Sequence, residues 1–354
     1  MKTFSEIFGS LPAVRMQAPG RVNLLGEHTD YNDGLVLATA IAQRTRIEIA
    51  FNRGKLYRVY SVELDQLAEF SLDAPPRDHF ATYVYGCVRE LASYTADIPP
   101  FDLHVSTTIP IGAGLSSSAA LEVATLRGLR ELLTIAVDDV QIAHIAQRAE
   151  NGYAGVNCGL LDQMASSLAQ EGTLLFLDIR TLDRQLIPMP AAAELLIVHS
   201  GIERSLAHSA YNERRTECRQ AARMMGLTSL RDANLASVEL LPSPLRERAR
   251  HVLTENARVN SAVGADAIAF GELMNASHQS LRDDYAVSVP RLDLLVSLLQ
   301  AEPQVYGAKL TGAGFGGACV ALCEPQRAQR IAANVLAAYA DVGGRGRLLV
   351  PASG

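Results

Sequence analysis

The chain has 354 residues, enough for two domains, and its hydrophobic content of 48% is ample for folded cores. Its net charge of −6 is spread without a basic run, which argues against nucleic acid or an anionic membrane surface as the main partner. The N-terminus lacks the apolar core of a signal peptide, and no apolar run approaches the roughly 18 residues of a membrane span. Five scattered cysteines without CxxC or metal-finger spacing indicate reduced thiols, so we expect a soluble cytoplasmic protein.

The periodicity of apolar residues predicts an α+β fold. The predicted strands are 45–51, 56–61, 102–108, 174–177 and 195–198, with a strand–loop–strand unit at 305–323. The predicted helices are 118–133, 139–150, 206–225, 241–261, 265–281, 290–301 and 325–341. We therefore expect a sheet-rich first domain and a helix-rich second domain, with the boundary in the proline-containing stretch 181–192.

A polar block follows an apolar, strand-like start near the N-terminus. It begins with Glu27, His28, Thr29, Asp30 and Tyr31. A loop needs only Gly, Asn and Asp at such a place. Carboxylates accept hydrogen bonds from hydroxyls, and His or Tyr can donate or accept them. The block therefore predicts binding of a polyol such as a sugar.

A glycine- and serine-rich loop at 109–122 lies after a predicted strand and opens a predicted helix. Gly112 and Gly114 allow backbone N–H groups to face an anion, and Ser116 to Ser118 add hydroxyls at the positive end of a helix dipole. The alternative is a serine N-cap after a tight turn. The loop favours phosphate binding, although it is not a Walker P-loop because GxxxxGK[ST] is missing.

A second glycine-rich loop, residues 311–318, contains GxGxxG at Gly312, Gly314 and Gly317. A dinucleotide-binding loop would open a helix, whereas a strand-like segment follows here, and no acidic residue stands about 20 positions further on. A hairpin that packs closely on another segment is the better interpretation, and a plain tight β-turn is the alternative.

Three charged side chains are ambiguous when their local sequence is considered alone. Asp162 lies just inside a predicted helix, where an acid can simply stabilise the helix dipole. Glu150 ends a predicted helix, and Arg21 could be structural. Asp283 and Asp284 are predicted to be helix-terminal charges, because adjacent helix positions do not face each other.

Together these segments resemble the galactokinases, members of the GHMP small-molecule kinases. Residues 20–34 resemble the galactokinase signature, residues 112–120 the ATP-binding motif, and residues 311–317 the third motif of the family. Further similar segments are 158–163, 209–215, 250–258 and 280–285. The resemblance covers nearly the whole chain.

The resemblance implies a GHMP-kinase-like two-domain architecture, with domains at 1–180 and 181–354 and the active site between them. It implies Asp162 as the base that faces the anomeric hydroxyl of the sugar, with Arg21 stabilising charge at the transferring phosphoryl group. Ser118 and Glu150 would ligate Mg²⁺, which prefers oxygen ligands. The residues implied to bind ATP are Gly112, Ala113, Gly114, Leu115, Ser116, Ser117 and Ser118. The residues implied to contact the sugar are Glu27, His28, Asp30, Gly159 and Tyr211.

The expected activity is ATP-dependent phosphorylation of galactose to α-galactose 1-phosphate by a monomer. A carboxylate near the sugar's C6 would repel a uronic acid, which favours a neutral sugar. Ala38, Ala210 and a short region between Asn260 and Phe270 depart from the family pattern and bear on which sugar fits. Alternatives are a 1-kinase for arabinose, an N-acetylhexosamine or galacturonate, a non-catalytic sugar- or ATP-responsive regulator, and, on the GxGxxG alone, a nicotinamide oxidoreductase.

Overall fold

The computed structural model describes residues 2–95, 97–155, 157–202 and 207–351. Its strands are β1 (Val14–Leu25), β2 (Leu35–Phe51), β3 (Tyr57–Ser61), β4 (Gln66–Phe70), β5 (Phe101–Thr107), β6 (Thr173–Asp178), β7 (Arg184–Pro188), β8 (Glu194–His199), β9 (Val305–Leu310), β10 (Ala318–Cys323) and β11 (Arg347–Val350). Its α-helices are α1 (Phe4–Phe8), α2 (His79–Leu91), α3 (Ser117–Leu133), α4 (Asp139–Ala149), α5 (Leu161–Leu168), α6 (Ala207–Met224), α7 (Leu235–Val238), α8 (Leu245–Ala262), α9 (Ala267–Asp283), α10 (Pro290–Gln300) and α11 (Ala328–Asp341).

The predicted α+β class is confirmed, and each predicted strand and helix has a counterpart. Most agree within a few residues, but the strand predicted at 45–51 is only the second half of β2, which begins at Leu35. Leu206, the first residue of the predicted helix 206–225, lies outside the described residues. Asp283 and Asp284 do lie at the C-terminal end of α9, as predicted. Helices α1, α2 and α7 and strands β4, β7 and β11 were not predicted, whereas β1 contains the strand-like start predicted before the polar block. Within the described ranges, no helix combines the length and the apolar character that crossing a membrane requires.

The chain forms two compact units whose segments alternate along the sequence. Unit 1 comprises Met1–Arg21, Ala40–Ile111 and Ser116–Glu171, and unit 2 comprises Val22–Thr39, Gly112–Leu115 and Gly172–Gly354. The chain passes from one unit to the other within β1, within β2, on both sides of the loop 112–115 and between Glu171 and Gly172. The predicted domain limits at residues 180 and 181 stay a prediction.

Unit 1 combines a sheet with a group of helices. In the sheet, β4 pairs antiparallel with β3, β3 pairs parallel with β5, and β5 pairs antiparallel with β2. Helices α2, α3, α4 and α5 pack against one another. Gly128 brings α3 close to β2, because a Cβ there would lie 2.6 Å from Ile47 Cδ1. This packing fixes the N-terminus of α3 and the first turn of α5, which carry residues of the candidate site.

Unit 2 contains a second sheet with the order β11–β8–β10–β9, in which every pairing is antiparallel. Helix α9 lies directly on β9, since a Cβ on Gly307 would lie 2.0 Å from the carbonyl oxygen of Gly271. Side chains of both the sheet and the helices, such as Val198, Leu281 and Leu310, share one buried core. The start of β2 pairs with β6, and β6 pairs with β7.

Candidate active site

Asp162 in unit 1 is held by two neighbours. Arg21, in β1, donates from Nε to Asp162 Oδ1 at 2.9 Å and from Nη2 to the same oxygen at 2.5 Å. Ser116 Oγ donates to Asp162 Oδ2 at 2.6 Å. The Arg21 side chain is 5% exposed, whereas that of Asp162 is 32% exposed. The carboxylate is therefore fixed in orientation while part of it stays open to solvent.

The glycine- and serine-rich loop has three left-handed residues at alternate positions. Gly112, Gly114 and Ser116 have φ of 75°, 82° and 59°. Such alternation turns successive N–H groups into a concavity that attracts anions. Ser116 precedes α3 but makes no side-chain cap hydrogen bond in the described structure, because its hydroxyl goes to Asp162. The alternative of a plain serine N-cap is therefore wrong, because the Ser116 side chain does not cap the N-terminus of α3.

A pair of buried carboxyl groups lies in unit 1 beside Asp162. Glu150 stands where α4 passes into a π-helical turn, Glu150–Ala154. Gln163 Nε2 donates to Glu150 Oε2 at 2.6 Å. Burial and the negative charge of Asp162 raise the pKa of Glu150 to about 7. Burial and the neighbouring Glu150 raise the pKa of Glu122 well above its ordinary value. Burial and neighbouring negative charges therefore shift both carboxyl groups toward their protonated forms.

These groups fit a magnesium ion that is only partly held by protein. Ser118 shares a hydrogen bond with Glu150, which places a hydroxyl and a carboxylate together as hard oxygen ligands. The buried Oε1 of Glu122 has no hydrogen-bond partner among the described residues. The described ranges contain no cluster of three or more His, Cys, Asp or Glu side chains arranged around a metal. Mg²⁺ commonly keeps several waters and binds substrate phosphates, so a two-residue protein contribution suits it.

The predicted sugar-binding block in unit 2 is a tightly bonded turn after β1. Gly26 has φ of 94°, and a Cβ there would lie 2.5 Å from the carbonyl oxygen of Leu35. Thr29 Oγ1 donates to the carbonyl oxygens of Gly26 and Leu35 at 2.8 and 2.7 Å. A 3₁₀ turn, Asp30–Asn32, follows. Backbone geometry thus fixes the positions from which the side chains of Glu27, His28 and Asp30 project.

The Glu27 carboxylate lies against a buried lysine. Lys309 Nζ is 2.5 Å from Glu27 Oε1, and the two side chains are 0% and 2% exposed. Burial raises the pKa of Glu27 to about 7, although the charge of Lys309 opposes the shift. A second buried carboxylate lies nearby: Glu255, on α8, accepts a hydrogen bond from the backbone N–H of Gly26 at 2.8 Å.

His28 belongs to a cluster of aromatic rings in unit 2. His28 Nδ1 and the Tyr31 hydroxyl are 2.8 Å apart, and the hydroxyls of Tyr31 and Tyr285 are 2.7 Å apart. The His28 ring centroid lies 5.6 Å from that of Tyr211, which is half-buried on α6. Burial and the neighbouring His251 lower the pKa of His28 to about 3, so its imidazole is neutral. The remaining predicted sugar contact, Gly159, is buried in unit 1 just before α5.

The second glycine-rich loop is a hairpin, which excludes the dinucleotide-binding alternative. Residues 318–323 form β10, which pairs antiparallel with β9. Gly314 has φ of 79°, and a Cβ there would lie 2.3 Å from the carbonyl oxygen of Val287. Thr311 Oγ1 donates to the carbonyl oxygen of Asn23 at 3.0 Å. The loop does pack closely on other segments, as predicted.

Four buried residues at these sites were not predicted from the sequence: Glu122, Gln163, Tyr285 and Lys309. A signal existed for Glu122, which lies four residues after Ser118 and so on the same face of α3. A signal also existed for Lys309, since a lysine inside an apolar strand is rarely buried without a partner.

Comparisons with known proteins identify the family. The family model for the galactokinase galactose-binding signature matches residues 2–51, the GHMP kinases N terminal domain matches 82–170, and the GHMP kinases C terminal domain matches 260–341. A galactokinase of Roseiflexus sp. (strain RS-1) is 40% identical to the chain and covers 97% of it and 91% of the relative. The chain belongs to the galactokinase family.

Further relatives agree in sequence and in fold. A galactokinase of Chloroflexus aggregans is 39% identical over 97% of this chain and 92% of its own length. The crystal structure of Lactococcus lactis galactokinase complexed with galactose superposes with a TM-score of 0.91 at 33% identity, covering 98% of this chain and 95% of that one. Mevalonate kinase of Methanococcus jannaschii has a TM-score of 0.68 at 19% identity, covering 96% and 98% of the two chains. The two-domain GHMP-kinase fold is thereby confirmed, and the chain is a sugar kinase that transfers a phosphoryl group to an alcohol.

Proposed function

We propose that this galactokinase-family protein transfers the γ-phosphoryl group of ATP to the anomeric hydroxyl of galactose and forms α-galactose 1-phosphate. The observation that carries this proposal is the Asp162 carboxylate, which Arg21 and Ser116 hold in one orientation while it stays partly open to solvent. A neutral sugar hydroxyl is a poor nucleophile, and a fixed carboxylate within reach assists it by accepting its proton.

Phosphoryl transfer requires mainly alignment and charge stabilisation from the protein. In this proposal Asp162 accepts the proton of the C1 hydroxyl, and the Arg21 guanidinium stabilises negative charge on the transferring phosphoryl group. The N–H groups of residues 112–118, at the start of α3, bind the ATP phosphates. The positive end of that helix and the three left-handed residues of the loop support the assignment.

The proposed metal ligands are Ser118 and Glu150, and Mg²⁺ bound there supplies neutralisation of phosphate charge. Gln163 fixes the Glu150 carboxylate by donating to Oε2. Glu122 lies beside Glu150 and adds a second buried carboxyl group next to the proposed ligands.

The proposed sugar contacts are Glu27, His28, Asp30, Gly159 and Tyr211. A buried polar group left without its partner costs about 1–3 kcal/mol. A sugar that lacks a matched hydroxyl, or presents it equatorially, therefore loses kcat/KM by roughly 10- to 100-fold for each lost hydrogen bond. We expect galactose to exceed glucose by at least that margin, and galacturonate to do worse because Glu27 opposes its carboxylate.

The test is a screen of free sugars with ATP and Mg²⁺, in which ADP release is followed and the product is identified by ³¹P and ¹H NMR. The panel contains galactose, glucose, arabinose, N-acetylgalactosamine and galacturonate. Formation of α-galactose 1-phosphate with the highest kcat/KM is the expected result. A preference for arabinose or galacturonate would keep the kinase assignment and remove galactose as the substrate, and Ala38 and Ala210 would be the first positions to exchange. Sugar-independent or undetectable ATP turnover would favour a regulator.

We further propose a cytoplasmic monomer, on the basis of the five thiols and the dispersed surface charge. Size-exclusion chromatography with light scattering tests the monomer directly. A mass of twice 38.1 kDa would contradict it.

A further inference from the structure

The ion pair of Lys309 and Glu27 is not explained by folding alone. Lys309 lies in β9 with its side chain 0% exposed, and its Nζ is 2.5 Å from Glu27 Oε1. Taking two charges out of water costs several kcal/mol for each ion, so a buried pair generally adds little to stability compared with apolar side chains of similar volume. Apart from this contact with each other, neither Nζ nor Oε1 has a hydrogen-bond partner among the described residues, so their remaining hydrogen-bonding capacity is not used.

The charges that surround this pair do not replace Lys309. Glu255, from α8, is paired with Arg258, whose Nε donates to Glu255 Oε2 at 2.7 Å. Glu255 remains an anion, because Arg258 and other positive neighbours lower its pKa to about 2 against the effect of burial. It therefore adds negative charge near Glu27 and makes ionisation of that carboxyl harder.

The neighbouring histidines are neutral near pH 7. Burial lowers the pKa of His251, on α8, and of His278, on α9, to about 4 in each case. His251 Nε2 is 3.1 Å from the backbone carbonyl of Glu27, and His278 Nε2 is 3.3 Å from Asp293 Oδ1 on α10. Lys309 is thus the cation that faces the Glu27 carboxylate from the elements packed around it in the described structure.

We propose that Lys309 is a positioning residue for sugar recognition: its buried ammonium group holds the Glu27 carboxyl group in place and favours its ionised form, and thereby sets the preference for a neutral sugar over a uronic acid. This inference rests on the proposed role of Glu27 in sugar binding. An ionised carboxylate accepts a hydroxyl's hydrogen bond more strongly than a neutral acid does, and it repels a second carboxylate.

The ionisation state of Glu27 is finely balanced, which makes the role of Lys309 measurable. With a pKa of about 7, Glu27 is partly protonated at neutral pH in the unliganded protein. Loss of the Lys309 charge raises that pKa further and leaves a neutral acid at pH 7. When the Glu27 carboxyl group is protonated before binding, a sugar hydroxyl that binds the anion more tightly causes Glu27 to release that proton. Galactose affinity should fall as the pH is lowered through 7, and in Lys309→Met the same fall should begin at a higher pH.

The first experiment compares Lys309→Met, Glu27→Gln and the double variant with galactose and galacturonate as substrates. We expect Lys309→Met to raise the KM for galactose by about 10-fold while kcat stays within about 3-fold of the wild type. We also expect it to lower the ratio of kcat/KM for galactose to kcat/KM for galacturonate, as Glu27→Gln does. The double variant should match Glu27→Gln, because Lys309 acts through Glu27. Two results would overturn the inference: a double variant in which the effects of the two single substitutions multiply, or an unchanged ratio of kcat/KM for galactose to kcat/KM for galacturonate in Lys309→Met.

Arg58→Met provides a matched control in unit 1. It removes the cation from another buried carboxylate, Asp102, which accepts from Arg58 Nε and Nη2 at 2.7 Å each. This variant should lose stability and keep the sugar preference. A lowered ratio of kcat/KM for galactose to kcat/KM for galacturonate in this control would attribute the effect of Lys309→Met to general destabilisation.

The second experiment needs no variant of Lys309 and so stands even if Lys309→Met does not fold. Calorimetric titration of the wild type with galactose at pH 7, in buffers of different ionisation enthalpy, measures the protons exchanged on binding. We expect release of roughly half a proton at a pKa of about 7, and no release in Glu27→Gln. Galactose binding without proton release would overturn the inference while leaving the proposed function intact. Failure of the wild type to bind or phosphorylate galactose would instead overturn the proposed function.

Discussion

Replacing Asp162 with Asn separates its proposed role as a base from its structural role. Asn is nearly isosteric with Asp, so its Oδ1 can still accept from Arg21 and its Nδ2 can donate to the hydroxyl oxygen of Ser116. What the substitution removes is the negative charge and the ability to accept a proton. We expect kcat to fall by about 10²- to 10⁴-fold, or roughly 3–5 kcal/mol in activation free energy.

The expected loss of stability is much smaller. Hydrogen bonds to charged groups contribute about 1.5–3 kcal/mol each and neutral ones about 1 kcal/mol. Since the Asp162 side chain is 32% exposed, solvent screens part of that difference. We therefore expect Asp162→Asn to lower the free energy of unfolding by only about 1–2 kcal/mol. Thermal unfolding and calorimetric galactose binding, measured beside ADP release, distinguish the two effects.

Asp102→Asn is the matched control for this comparison. Asp102 is also a carboxylate paired with an arginine, at 2.7 Å from Arg58, but it is 3% exposed and lies on β5. It should lose at least as much stability as Asp162→Asn while kcat stays within about twofold. Near-wild-type kcat in Asp162→Asn would refute the role as base. A loss of galactose affinity as large as the loss of kcat would make Asp162 a binding residue instead.

Three further predictions concern other parts of the molecule. Ser118→Ala and Glu150→Gln should each raise the Mg²⁺ concentration for half-maximal rate by about 10-fold with little change in galactose KM, because each weakens an oxygen ligand; Mg²⁺ titrations that overlay the wild type would place the metal elsewhere. Gly314→Val should lower the unfolding midpoint by several degrees, since its Cβ would lie 2.3 Å from the carbonyl oxygen of Val287 at a φ of 79°, and a wild-type melting curve would contradict this. His251 has a folded pKa of about 4. Between pH 4 and its ordinary 6.5 only the unfolded state binds this proton, so His251 makes stability fall with falling pH. His251→Gln should reduce the dependence of the free energy of unfolding on pH by up to about 1.4 kcal/mol per pH unit, measured by denaturant unfolding. Parallel plots of unfolding free energy against pH for the wild type and the variant would contradict the lowered pKa of His251.

Elements whose signals are local could be predicted from the sequence. Apolar periodicity located helices such as α3 and α4 within a residue or two, because a helix or strand must bury one face wherever it packs. The glycines of the loop at 112–118 indicated left-handed backbone positions, and Gly112 and Gly114 do adopt them. The motif chemistry also indicated the family, because the galactokinase signature is a contiguous run of residues.

Helix α2 shows why other elements were missed. Its residues include Tyr83, Val84, Tyr85 and Gly86, which have low intrinsic helix propensity. Its close contact with α4 depends on Gly86, where a Cβ would lie 2.9 Å from the carbonyl oxygen of Ala149. Tertiary packing therefore stabilises this helix despite its low propensity. Its sequence does carry a helical pattern, because the buried residues recur three and four positions apart: Ala81, Val84, Tyr85, Val88 and Leu91.

The partners of the charged residues depend on the tertiary structure and could not be predicted from the sequence. Asp162 meets an arginine 141 positions away, and in Glu27 and Lys309 the chain brings together a turn after β1 and the end of β9. Local patterns gave Asp162 a dipole role, made Ser116 an N-cap candidate and passed over Lys309. Whether a buried charge is compensated depends on neighbours that are distant in sequence, because desolvation and Coulomb interactions act through space.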